Sequence, residues 1–242
     1  MRRAPSDARC PGTAPICLDK GAWLVKTAFV GLGKMGKPMA LNMVRSGTEL
    51  VVMDATTSSY RELEQRGART TSDVGEVASA DVIFLCLPSS DVVKQVVLAP
   101  DGLEPRLREG QIVVDTSTIA YSTTLEIAAA LAQRGVSFLD APVSGMEARA
   151  VDGTLTVMCG GAPAAFEVAR PLLETVGNRI LYMGPAGSGQ LTKLINQLLF
   201  DINCAAIAEI LPMAVRMGLD SRKVGEVVNS GTGRSYASEF FI

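Results

Sequence analysis

The reading of this chain turns on Lys26-Thr27-Ala28-Phe29-Val30-Gly31-Leu32-Gly33-Lys34-Met35-Gly36. The run from Lys26 to Val30 is apolar enough for a strand, and Gly-x-Gly-x-x-Gly follows at once. From Lys34 to Ser46 the pattern predicts an amphipathic helix, with Met35, Met39, Ala40, Met43 and Val44 on one face. Strand, glycine turn and helix in that order form the context of a dinucleotide-binding fingerprint. Gly31 permits the tight turn, Gly33 lets the backbone approach a pyrophosphate, and Gly36 lets the helix lie close to the strand. The helix N-terminus adds free N–H groups and the positive end of its dipole.

Working outward, Glu49 to Asp54 is a second strand ending in a carboxylate at about the 20-residue spacing that suits a ribose 2′-hydroxyl. Tyr60 to Arg66 predicts a helix closed by Gly67. A short edge strand is expected near Arg69, and Asp73 with Glu76 resembles a capping box. Asp81 to Leu87 is a nearly continuous apolar strand ended by Pro88, the signature of a parallel sheet covered on both faces. Helices are then expected at Ser89–Leu98, Tyr121–Arg134 and 162–175, and strands at Gln111–Asp115, Val136–Asp140, Thr154–Cys159 and Ile180–Met183. This alternation predicts an α/β, Rossmann-type doubly wound sheet over residues 25–188. Ligands in such sheets bind beyond the C-terminal strand ends. Leu87-Pro88, Thr116-Ser117-Thr118 and Ala141-Pro142-Val143-Ser144 follow such ends and are expected to line one cleft with Gly31 to Gly36.

After Gly189 the pattern changes. Gln190 to Met217 carries no strand or turn signal, and Leu191, Leu194, Ile195, Leu198, Ile202, Ala205, Ile210 and Val215 recur at helical spacing. Roughly 28 residues at 1.5 Å each make a helix of about 40 Å, with Pro212 a potential kink. Residues 189–242 read as the start of an all-helical domain that pairs subunits, as a homodimer or homotetramer, and as truncated. Residues 1–24, with three prolines and no period, read as a disordered or non-native extension.

Composition excludes several classes. Apolar residues make up 48% and charged residues 20% of 242, and the net charge is −2. No basic field invites nucleic acid or an anionic membrane, and no apolar run is expected to reach the ~18 residues of a spanning helix. The five cysteines show no metal spacing, so no metal site is expected; Cys86 and Cys159 read as buried thiols, which suits a reducing cytoplasm. The chain has no histidine. Proton transfer therefore falls to Lys, Asp, Glu, Tyr or Cys. Lys193 and Asn196, three apart, share one face at the start of the long helix behind a glycine-rich entry. A lysine titrates near 10.4 in water; partial burial would lower that value and make the amine a usable base.

Three blocks carry a resemblance: Gly31-Leu-Gly-Lys-Met-Gly-Lys-Pro-Met-Ala40, Asp140-Ala-Pro-Val-Ser-Gly145, and Gly187-x-Gly-x-x-x-Lys193-x-x-Asn196. In their order and separation the chain resembles the β-hydroxyacid dehydrogenase family, which includes 3-hydroxyisobutyrate dehydrogenase, tartronate semialdehyde reductase and 2-(hydroxymethyl)glutarate dehydrogenase. The resemblance implies NAD(P)-dependent oxidation of a small β-hydroxy acid. It implies Lys193 as acid–base, Asn196 holding the substrate, and Ser144-Gly145 binding its carboxylate. It places Leu87, Pro88 and Thr118 against the cofactor, beside Gly31, Leu32, Gly33, Lys34, Met35 and Gly36. Asp54 and the absence of a nearby arginine favour NAD, with NADP the alternative. Arg234 is a candidate for a second substrate carboxylate. Two departures stand out: Met146 where the family has a second glycine, and Gln197 where it often has asparagine. A 6-phosphogluconate dehydrogenase-like enzyme and a non-catalytic NAD(P)-binding scaffold are the competing readings.

Overall fold

The computed structural model describes residues 25–242; the 1–24 stretch, with Cys10 and Cys17, lies outside the described residues. Nine strands form one sheet: β1 (Thr27–Val30), β2 (Leu50–Met53), β3 (Arg69–Thr70), β4 (Val82–Leu85), β5 (Ile112–Asp115), β6 (Ser137–Asp140), β7 (Val143–Ser144), β8 (Leu155–Gly160) and β9 (Gly177–Gly184). The order β3-β2-β1-β4-β5-β6 is parallel throughout. It is the doubly wound order whose direction reverses between β1 and β4. β8 then runs antiparallel to β6, with β7 antiparallel and β9 parallel to β8.

Burial explains why these segments are strands. Every residue of β1, β4 and β5 is buried, and neighbours along each strand face opposite layers. Phe29, Phe84 and Val114 pack into one layer; Ala28, Val30, Ile83, Leu85 and Val113 pack into the other. Phe29 and Phe84 stack with ring centres 6.0 Å apart. The first layer is closed by α1 (Gly36–Arg45) and α7 (Pro163–Leu173), the second by α4 (Ser90–Leu98) and α5 (Tyr121–Ala132). Short helices α2 (Tyr60–Gln65), α3 (Val74–Ala78) and α6 (Met146–Asp152) complete the sheet region.

Some local expectations are corrected. Lys34 and Met35 form a turn, and α1 starts at Gly36. Asp73 caps α3 by accepting from the Gly75 N–H, whereas Glu76 pairs with Arg69, so no reciprocal box forms. β7 and α6 were not legible. β7 is two residues long, and α6 buries only Ala150, so neither has a usable period.

The last part of the described chain is helical: α8 (Ser188–Arg216), α9 (Ser221–Ser230) and α10 (Tyr236–Phe241). α8 runs 29 residues and continues past Pro212, and only Gly189, Gln190 and Ala214 are buried along it. Leu198, Leu199, Ile202 and Met213 are all more than half exposed. The composition-based exclusion of a spanning-length segment is corrected here. Taken as a helix, Ser188–Arg216 is long and apolar enough to cross a membrane, with a mean hydropathy of 1.7 over its most apolar stretch.

Candidate active site

The glycine turn sits at the switch point between β1 and β4. Gly31 has φ +96°, and a Cβ there would lie 2.3 Å from the Cys86 carbonyl oxygen at the end of β4. A Cβ on Gly36 would lie 1.9 Å from the Gly31 carbonyl oxygen. These two glycines are demanded by the fold itself. Gly33 is different: a Cβ there meets nothing within 4 Å. That open backbone is a cradle with room for a phosphate group, so the turn fits a dinucleotide. Asp54, one residue past β2, clamps the turn from the other side. Its carboxylate accepts from the Leu32 N–H at 2.6 Å and from the Thr56 N–H at 2.8 Å.

The loops beyond β4, β5 and β6 are tied to one another. The Leu87 N–H donates to the Ser117 hydroxyl at 2.8 Å, and the Thr116 hydroxyl donates to the Leu85 carbonyl at 2.6 Å. Asp115, wholly buried at the end of β5, accepts from the Ser117 N–H with one oxygen; the other has no partner among the described residues. Burial pushes its carboxyl up to about 7.

Asp140, at the end of β6, reaches the start of α8. Its two oxygens accept from the Gly187 N–H at 2.7 Å and the Gln190 N–H at 2.8 Å. Gly187 has no side chain to cap α8, so the cap comes from the sheet. Burial raises the Asp140 carboxyl, although these N–H groups pull it down. The buried Gln190 amide donates to the Ser117 carbonyl at 2.6 Å and accepts from the Ile119 N–H at 3.2 Å. Gly189 has no room for a side chain, since its Cβ would fall 2.2 Å from the Met158 carbonyl oxygen. The first turn of α8 is therefore bolted across the ends of β5, β6 and β8.

One turn further along α8, Lys193 and Asn196 look into a cleft of about 710 Å³. Leu87, Pro88, Thr118, Ser144, Gly145 and Met35 line the same cleft. Lys193 is half-buried and has no hydrogen-bond or ion-pair partner among the described residues. Burial lowers its pKa from the ordinary lysine value, which is the direction that makes an amine more available as a base. Lys193 and Arg149 are the charged residues lining the cleft, and among the described residues no Asp or Glu does so. The lining thus favours an anion.

The remaining expected residues fall elsewhere. Leu32, Gly33 and Lys34 line a neighbouring groove of about 730 Å³ on the far side of the turn, so the glycine run borders the cleft through Met35. Arg234 does not line the cleft; its guanidinium bonds to Glu239, five residues on. Of the two expected buried thiols, Cys159 is buried while Cys86 is half-buried at the cleft, and burial pushes their pKa values up to about 12 and about 11. Sequence reasoning missed Arg149, Phe200 and Tyr236 as lining residues, and it missed Gln190 as the lock on α8.

A doubly wound sheet with an open glycine cradle at its switch point, and a lysine-bearing helix pinned over its strand ends, defines a dinucleotide-dependent enzyme domain. Comparison with known proteins agrees. Residues 26–184 match a family profile described as the NAD binding domain of 6-phosphogluconate dehydrogenase. Residues 187–241 match one described as NAD-binding of NADP-dependent 3-hydroxyisobutyrate dehydrogenase. The 2-(hydroxymethyl)glutarate dehydrogenase of Eubacterium barkeri is 37% identical over 216 residues, covering 89% of this chain and 72% of that protein. The mitochondrial 3-hydroxyisobutyrate dehydrogenase of Mus musculus is 34% identical, covering 94% and 68%. Among solved structures, 3-hydroxyisobutyrate dehydrogenase of Mycobacterium tuberculosis with L-serine superposes with a TM-score of 0.82 at 32% identity, covering 89% and 73%. The chain belongs to the β-hydroxyacid dehydrogenase family, NAD(P)-dependent oxidoreductases that act on a CH–OH group.

Proposed function

We propose that this chain interconverts a small β-hydroxy acid and its semialdehyde, with Lys193 as the acid–base and NAD preferred over NADP. The observation that carries this reading is the convergence of Lys193, Asn196, Ser144, Gly145 and Thr118 on one cleft beyond the strand ends. The bound nicotinamide supplies the hydride acceptor, or the donor in reverse. Ser144 and Gly145 hold the substrate carboxylate, and Arg149 adds positive charge beside them. Asn196 orients the alcohol without competing for its proton. Lys193, unpaired and half-desolvated, takes that proton during oxidation and returns it during reduction. Asp140 and Gln190 fix the turn that carries Lys193, so the amine meets the alcohol without reorganisation. Asp54 supports the NAD preference, since a carboxylate at the end of β2 repels a 2′-phosphate. The exposed apolar band of α8 supports burial against a second copy of the chain.

Replacement of Lys193 by Ala tests the reading. It is expected to lower kcat by about 10²–10⁴-fold while leaving cofactor affinity intact. Near-normal turnover would refute the assignment, and cofactor binding without turnover of any hydroxy acid by the unaltered chain would favour a scaffold. Burial lowers the Lys193 pKa, so the neutral amine accumulates at lower pH than in a free lysine. Oxidation should therefore rise with pH through a value below ~10.4, and that limb should vanish in the variant.

A further inference from the structure

Gly145 and Met146 join β7 to α6, and both have positive φ, 143° and 60°. Met146 is the non-glycine residue with positive φ among the described residues. L side chains rarely adopt that conformation, so Met146 carries backbone strain that a glycine there would not. Met146 sits at the rim of the cleft that holds Lys193 and Asn196. Its Sδ accepts from the Tyr236 hydroxyl at 3.3 Å. Tyr236 opens α10, lines the same cleft, and packs its ring against Phe200 with centres 6.1 Å apart. The pair spans the cleft from the sheet side to the helical side.

The position of this bridge matters if, as proposed above, Ser144 and Gly145 hold the substrate carboxylate. The carbon bearing that carboxylate then lies next to Met146. Whatever else that carbon carries faces a thioether and a phenol ring already in contact. In 3-hydroxyisobutyrate the carbon carries a methyl group; in 2-(hydroxymethyl)glutarate it carries a carboxyethyl chain. We propose that Met146, backed by Tyr236, is a specificity-determining residue that restricts this substituent to about the size of methyl. A methyl group fits beneath the bridge and gains apolar contact. A carboxyethyl chain must break the contact between the two side chains.

The test compares the two acids. The ratio of kcat/KM for 2-(hydroxymethyl)glutarate to that for 3-hydroxyisobutyrate is measured in the unaltered chain, Met146→Gly, Met146→Ala and Tyr236→Phe, and the ratio of Kd values is measured by calorimetry on NAD-loaded protein. Met146→Gly removes side chain and backbone strain together, while Met146→Ala removes the side chain alone. Both are expected to raise the ratio about tenfold or more, the scale on which apolar pockets discriminate by methylene-sized differences. Tyr236→Phe keeps the ring and loses the hydroxyl, so it should shift the ratio the same way by about two- to fivefold. Ratios within about twofold of the unaltered chain in both Met146 variants, with Met146→Gly merely melting higher, would overturn the proposal. An unaltered chain that favours the carboxyethyl acid would overturn it too. Turnover of either acid by the unaltered chain separately tests the underlying reading, and a chain that binds neither acid sinks both.

Discussion

In β1, β4 and β5 every residue is buried, whereas along the 29 residues of α8 only three are. The strands are specified by their own apolar residues, packed on both faces, and would be strands in any neighbourhood that kept them dry. α8 takes its place from one end. Asp140 and Gln190 hold its first turn to the sheet, and beyond Asn196 much of its apolar surface, Leu198, Ile202 and Met213 included, is exposed, while Phe200 packs against Tyr236. The cleft lies on the seam, with one wall set by a rigid core and the other by a helix bonded to the sheet through its first turn.

The core side should break hardest. Gly36→Ala forces a Cβ to 1.9 Å from the Gly31 carbonyl oxygen, and a loss of about 4 kcal/mol or more is expected in urea unfolding. Gly33→Ala, three residues earlier, meets empty space. It should leave stability within about 0.5 kcal/mol yet weaken NAD(P) binding, as read by cofactor fluorescence. If both glycines behave alike, the distinction between fold glycine and cradle glycine fails.

The seam itself comes next. Asp140→Ala strips the acceptors from two N–H groups of α8, which should cost about 1–3 kcal/mol and lower kcat more than it alters cofactor Kd. A variant with unchanged kcat would show that Lys193 is positioned by something else.

Asp115 offers a pH-dependent effect. Its carboxyl titrates near 7 in the folded chain because it is buried, against ~3.9 when unfolded. Between those values the folded state holds a proton that the unfolded state has lost, so stability should fall as pH rises from about 4 to 7 and then level off. Asp115→Asn should flatten that decline in melting curves at pH 5 and pH 8. An unaltered slope would mean that the buried carboxyl is not the cause.

The smallest effect on stability is expected on the open side of α8. Leu198 is 60% exposed, so Leu198→Glu should change unfolding of the chain by less than about 0.5 kcal/mol. If α8 joins copies, sedimentation will show that the same change releases them.

Much of the rigid side was readable in advance, because its signals are local. Phe29 to Gly36 announces a turn that only glycine tolerates, and Asp81 to Leu87 announces a strand covered on both faces. Helical spacing placed Lys193 and Asn196 on one face, and the family resemblance singled them out as site residues. What escaped depends on contacts between distant residues. Asp140 caps a helix 47 and 50 residues away, and no period in either segment records that. Tyr236 enters the cleft because α10 folds back along α8, whereas Arg234, two residues earlier, is claimed by Glu239. Met146 was visible as a departure from the family pattern, but not its left-handed backbone or its tyrosine partner.

One consequence follows from the carboxylate that grips α8 from β6. The Lys193 amine keeps its register with the sheet rather than with the helix as a whole. Movement in the distant turns of α8 need not displace the turn that carries Lys193, since that turn is bonded to the strand ends.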